Sequence, residues 1–118
     1  MPKIDLDKLI AAIDEKDADG FVSFMTDDGT FRYGSQPPVQ GKEAVRDYVT
    51  GFFGTVAALS HTVDDTWERG DTMVMCGEAT YTRQDGGVVT VPYTNVFYLK
   101  GDRIQQYLIY TDPTPLFS

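Results

Sequence analysis

The sequence predicts an α+β domain in which helices come first and a sheet follows. Three observations carry that prediction. Apolar residues recur at helical spacing through the first half of the chain. Strand-like stretches rich in Val, Thr and Tyr fill the second half. Gly/Asp pairs punctuate that second half at short intervals. Helices that precede a sheet pack together on one side of it.

Each element has its own signal. Over residues 5–16, Leu6, Leu9, Ile10 and Ile13 share one helical face, and Asp5 is placed to cap the first turn. Asp17 is placed to cap a second helix over 18–26, whose apolar side is Phe21, Val22, Phe24 and Met25. Asp27-Asp28-Gly29 reads as a turn, Thr30-Phe31-Arg32-Tyr33 as a short strand, and Ser35-Gln36-Pro37-Pro38 as a loop. A third helix runs from Gly41 to about Val56, facing Ala44, Val45, Tyr48, Val49, Phe52, Phe53 and Val56 inward. Strands follow at about 61–69, 72–83, 88–99 and 103–111, joined at Gly70-Asp71, Asp85-Gly86 and Gly101-Asp102. Such pairs favour tight hairpins, because glycine reaches positive φ at little cost, so the four strands form an antiparallel meander.

Composition narrows the function. The 118 residues suffice for one core and one domain. A net charge of -8 with no Lys/Arg run excludes the basic face that nucleic acid requires, and an anionic membrane surface would repel the chain. No apolar run approaches the roughly 20 residues that span a bilayer. Cys76 is the only cysteine, which suits a reducing compartment; with the charged start after Met1-Pro2-Lys3, it leads us to expect a cytoplasmic protein.

Two-residue hairpin loops would set the strand register by counting. Trp67 then faces Val74 and Asp65 faces Cys76; His61 faces Thr80, Glu78 faces Tyr93, Cys76 faces Asn95, and Tyr93 faces Tyr110. One face would carry His61, Asp65, Trp67, Cys76, Glu78, Tyr93, Asn95, Phe97, Tyr110 and Asp112. The other would carry Met73, Met75, Ala79, Tyr81, Val96, Tyr98, Tyr107 and Ile109. The first mixes large apolar groups with ionisable ones, as a ligand pocket does. The second is apolar and would bury itself against another copy, giving a homodimer through the sheet.

The chain resembles the SnoaL-like branch of the nuclear transport factor 2-like superfamily, whose cystatin-like fold is an α+β cone. The resemblance rests on four stretches: Phe24–Phe31, Gly41-Lys42-Glu43-Ala44-Val45, Asn95–Ile104, and the ending Ile109-Tyr110-Thr111-Asp112-Pro113. It implies a strongly curved antiparallel sheet wrapped by three N-terminal helices, enclosing a pocket for a small hydrophobic molecule. The fold hosts isomerases, cyclases, dehydratases, hydrolases and non-catalytic binders, so it fixes no reaction. The layout of ketosteroid isomerases would put their general base at Tyr33 and their oxyanion donors at Leu9 and Asn95. A phenol is a poor base near neutrality and leucine cannot donate. The mixed face holds no arginine for the Asp-Arg-Asp set of limonene-epoxide hydrolases.

SnoaL-type polyketide cyclases, which use a pocket aspartate without a cofactor, resemble the chain better. That resemblance implies Asp112 as general acid/base; His61, whose intrinsic pKa suits proton transfer, reads as its partner, and Asn95 can donate to a ligand carbonyl. Tyr33, Trp67, Glu78, Tyr93, Phe97 and Tyr110 complete the expected lining. The counted register places His61 three strands from Asp112, near 14 Å if the sheet were flat. Glu78, Asp65 and His61 lack metal-ligand spacing, so no metal is expected. Cys76, mid-strand between Met75 and Gly77, reads as buried and inert. The competing reading of Asp112 is structural: a turn residue before Pro113.

Overall fold

A computed structural model describes residues 4–117. The start at Met1–Lys3, on which the cytoplasmic expectation partly rests, lies outside the described residues. Helix α1 spans Leu6–Asp14, with Asp5 accepting from the Lys8 amide at 3.2 Å and Leu9, Ala12 and Ile13 buried. Helix α2, Ala18–Val22, is capped by Asp17 and is shorter than expected. The chain leaves it early because strand β1, Met25–Tyr33, already begins at Met25, and the Ile104 amide donates to the Phe24 carbonyl at 2.8 Å. Asp27-Asp28-Gly29 is therefore an irregular stretch inside a strand, where the register shifts between Met25 and Thr30. Strand β2 is Val39–Gln40 and helix α3 is Lys42–Thr55.

Strands β3 (Val56–His61), β4 (Asp65–Arg69), β5 (Thr72–Arg83), β6 (Val88–Lys100) and β7 (Arg103–Thr111) follow, then a 3₁₀ turn at Thr114–Phe117. The expected strand over 61–69 is thus two strands. Sheet order is β2-β1-β7-β6-β5-β3, with β4 also beside β5. The last four strands form the expected meander, but β1 joins β7 in parallel, so the whole sheet is mixed. Its curl brings distant strands together: Tyr33 on β1 and Tyr81 on β5 lie three strands apart, yet their hydroxyls are 3.3 Å from each other.

The register departs from the count in three places. The Gly70-Asp71 turn behaves as expected: Arg69 pairs with Thr72, Trp67 with Val74 and Asp65 with Cys76. Between β4 and β3 one extra residue enters, so His61 pairs with Ala79, not Thr80. The β5–β6 hairpin uses three linking residues. The Arg83 amide donates to the Gly87 carbonyl at 2.7 Å, and Gly86 sits at φ 90°. That is a turn ending in a left-handed glycine, and it moves Tyr93 opposite Gly77 and Asn95 opposite Met75. The Gly101-Asp102 turn has two residues, but a bulge between Tyr98 and Leu99 puts Asn95 opposite Ile109 and Tyr93 opposite Thr111.

A one-residue slip exchanges the faces of a strand. The inner face therefore gathers Met73, Met75, Ala79, Tyr81, Val91, Tyr93, Asn95, Phe97 and Tyr107, all buried. The apolar set expected to form a dimer surface is largely the core itself. Helix α1 packs on β3 and α3 on β1, closing this concave side.

Candidate functional site

A small cavity lies between the helices and the inner face. Tyr48 and Phe52 of α3, Tyr33 of β1, His61 of β3, Tyr81 of β5, and Tyr93 and Asn95 of β6 all line it. Its volume is about 50 Å³. Ligand pockets for drug-sized molecules measure roughly 300–1,000 Å³, so this conformation has room for a few non-hydrogen atoms. An open groove lies beside it. Tyr33, Tyr48 and Phe52 line both spaces, so these three rings are the partition a larger ligand must turn aside.

His61 is held by a residue absent from the sequence-based expectation. Its Nδ1 lies 2.7 Å from Asp14 Oδ1, and its backbone amide donates to Asp14 Oδ2 at 3.2 Å. The imidazole meets Tyr93 edge-on, ring centres 5.4 Å apart. With Nδ1–H donating to the carboxylate, Nε2 of the neutral ring is left as a proton acceptor. Asp14 ends α1, where a negative charge opposes the helix dipole, and no basic residue occupies that turn. An acid in so unfavourable a place, next to the inward-facing Ile13, is the signal that sequence reading could have used.

Asn95 is 4% exposed, and its Oδ1 has no hydrogen-bond partner among the described residues. Its cross-strand neighbours are Met75 and Ile109. A buried acceptor without a donor costs about 1–3 kcal/mol, so Asn95 sits where an apolar residue would be more stable. The Tyr93 hydroxyl is already committed, donating to the Thr62 carbonyl at 2.7 Å. Burial pushes the Tyr93 hydroxyl up to about 12, helped by the nearby Asp64, Cys76 and Asp14. Burial raises Tyr33 and Tyr81 as well. These phenols are neutral donors, not bases.

Five expected site residues stand elsewhere. Asp112 is exposed, and its Oδ1 accepts from the Thr114 hydroxyl at 2.5 Å and the Thr114 amide at 3.1 Å. Those bonds hold its carboxyl below the usual carboxylate range and cap the final 3₁₀ turn. It borders the open groove, not the cavity, which corrects its expected place beside Asn95. Trp67, Glu78 and Tyr110 are exposed on the outer face, because the extra residues in the β5–β6 turn and β7 send the opposite set inward. Cys76, expected to be buried, is half-buried and shares that outer face. Phe97 is fully buried against Tyr107, ring centres 4.6 Å apart, and belongs to the core. Tyr33, His61, Tyr93 and Asn95 do converge on the cavity.

Residues 6–107 match the family model for the SnoaL-like domain. The chain belongs to the SnoaL-like family. Solved structures share the fold of this SnoaL-like domain at low identity. An NTF2-like protein of unknown function from Burkholderia pseudomallei superposes with a TM-score of 0.86 at 15% identity, covering 95% of this chain and 91% of that one. A putative SnoaL-like polyketide cyclase from Jannaschia superposes at 0.79 with 20% identity, covering 95% and 88%. A protein with a ketosteroid isomerase-like fold from Catenulispora acidiphila, solved in complex with trimethylamine, superposes at 0.83 with 14% identity, covering 89% and 82%. No curated protein matches the chain. Among the described residues no three His, Cys, Asp or Glu side chains gather as metal ligands, and no helix is long and apolar enough to cross a membrane.

Proposed function

We infer that this SnoaL-like domain binds a small organic molecule in the inner cavity and moves a proton on it without a cofactor, as a cyclase, isomerase or dehydratase acting on a small apolar carbonyl compound. The observation that carries the reading is the Asp14–His61 pair at 2.7 Å, set at the cavity wall with the ring otherwise among apolar and aromatic groups. In this scheme His61 Nε2 takes a proton from carbon or oxygen of the ligand, and Asp14 fixes the ring's tautomer and stabilises the imidazolium that forms. Asp112 has no part in the step. The trimethylamine bound in the Catenulispora structure supports a small ligand for the same fold.

The test is deuterium uptake by an enolisable ketone, cyclopentanone, in heavy water. General acid–base groups contribute about 10²–10⁴-fold. His61→Gln is expected to remove at least about 10² of any acceleration, while Asp112→Asn keeps it. Equal loss in both variants, or none in the first, would refute the assignment.

A second reading concerns assembly. Trp67, Val74, Val96 and Leu108 form one cross-strand row on the outer face, flanked by Tyr98 and Tyr110. Trp67, Tyr98 and Tyr110 are 52%, 43% and 57% exposed. An apolar sheet face of this kind supports a homodimer through the sheet, on the face opposite to the one the counted register selects. Such a dimer also gives the fold a use if the small cavity proves to be without chemistry. The lone Cys76 favours a reducing, cytoplasmic setting.

A further inference from the structure

Several polar groups on the cavity wall are already engaged. Tyr93 has spent its proton on Thr62, and His61 Nδ1 is engaged by Asp14. Tyr33 and Tyr81 share one bond at 3.3 Å between them, which leaves one phenolic proton free. Asn95 Oδ1 is the polar side-chain atom that is buried and without any partner among the described residues. It is an acceptor, so what completes it must be a donor. A carbonyl oxygen placed at that atom would set oxygen against oxygen, so a simple ketone has to turn its carbonyl to the spare phenolic proton instead. A hydrocarbon would leave the amide as it is.

Resting on the pocket reading above, we propose that Asn95 determines specificity, and that the ligand carries a hydroxyl, as a phenol, an enol or an alcohol, donating to Asn95 Oδ1. This turns around the simplest expectation for an asparagine in such a pocket, which is that its amide donates to a carbonyl. With the Tyr33, Tyr48 and Phe52 partition turned aside, the wall suits a flat hydroxylated molecule: Tyr33, Phe52 and Tyr81 present aromatic surface, and the spare phenolic proton can meet a second ligand oxygen. A hydroxy-carbonyl compound satisfies both. His61 Nε2, the other free acceptor, is then available to take a proton and not merely to anchor the ligand. The buried amide is a stability defect that a hydroxylated ligand repairs and its deoxy analogue does not, which is how a site rejects the analogue lacking the hydroxyl.

Phenol and toluene test this directly, since they differ by a hydroxyl in place of a methyl. Binding of each is measured by calorimetry and by chemical-shift changes, on the parent protein and on Asn95→Leu, alongside thermal melts. The parent is expected to prefer phenol by at least about 10-fold, the scale of one buried hydrogen bond. Asn95→Leu is expected to lose that preference and to melt at a higher temperature. Asn95→Ala repeats the selectivity measurement in a site that gains only space, should the leucine not fit. Equal binding of both probes to the parent would mean that an ordered water satisfies Oδ1, and would overturn the proposal while leaving the pocket reading intact. A preference that survives both substitutions would overturn it too. Failure of both probes to bind at all would remove both readings together.

Discussion

The two faces of the sheet are made from the same strands, and they are built to opposite rules. Inward, Met73, Met75 and Phe97 are at most 1% exposed, and among the described residues Asn95 is the one buried polar side chain apart from the tyrosines. Outward, Trp67, Tyr98 and Tyr110 stand in solvent beside Glu78, Thr80 and Thr90. What separates the two sets is register, since alternation along each strand makes either choice available. The comparison teaches that face identity here is decided at a few turns and bulges, and that side-chain chemistry follows from it.

Substitutions can break that contrast, and the largest effect is expected inside. Phe97→Ala removes a fully buried ring packed on Tyr107, at an expected cost of about 3–5 kcal/mol by denaturant unfolding. Gly77→Ala strikes the register itself. A Cβ at Gly77 would lie 2.0 Å from the Thr62 carbonyl oxygen, where the extra residue of the β3–β4 link crosses β5. Backbone cannot step aside as a side-chain tip can, so a loss of at least about 1–3 kcal/mol is expected, together with a shift of the His61 resonances.

Alkali should act on the inner face next. Burial raises Tyr33, Tyr81, Tyr93 and Tyr107 above the ordinary phenol value near 10. The folded protein then holds protons that the unfolded chain gives up. Stability should be complete below about pH 10 and fall as the pH rises toward and past the value of about 12 for Tyr93. Chemical denaturation at rising pH checks this, and Tyr93→Phe should flatten part of the slope. That variant also loses the bond to the Thr62 carbonyl, for about 1 kcal/mol at neutral pH. Outside, Trp67→Ser should change monomer stability by no more than about 0.5 kcal/mol, the usual range for exposed sites. If the outer face is the dimer surface, the same change should lower the mass seen by light scattering; an unchanged dimer would place the contact elsewhere.

The helices, the meander and the family motifs were legible because each rests on local periodicity or on a contiguous stretch of sequence. Asp5 and Asp17 cap where expected, and the Gly70-Asp71 hairpin pairs as counted. The site was legible only in part. Asp85-Gly86 and the bulge at Tyr98/Leu99 each add one residue that alternation cannot reveal, because both registers keep an unbroken strand. That moved Asp112 and Glu78 away from Asn95 and brought Tyr81 to it. Asp14 was missed for a different reason: its partner lies 47 residues away, and only the packing of α1 on β3 joins them. The parallel strand β1 was shortened in the sequence reading because Asp27-Asp28-Gly29 has turn chemistry, which pairing with β7 overrides.

The account stands on His61 being served by Asp14 and not by Asp112, and the chain's single histidine makes that measurable in one spectrum. Long-range proton–nitrogen NMR of the neutral imidazole should show the proton on Nδ1, with a hydrogen-bonded signal that Asp14→Ala abolishes and Asp112→Ala leaves in place. A proton on Nε2, or a signal that answers to Asp112 instead, would contradict it.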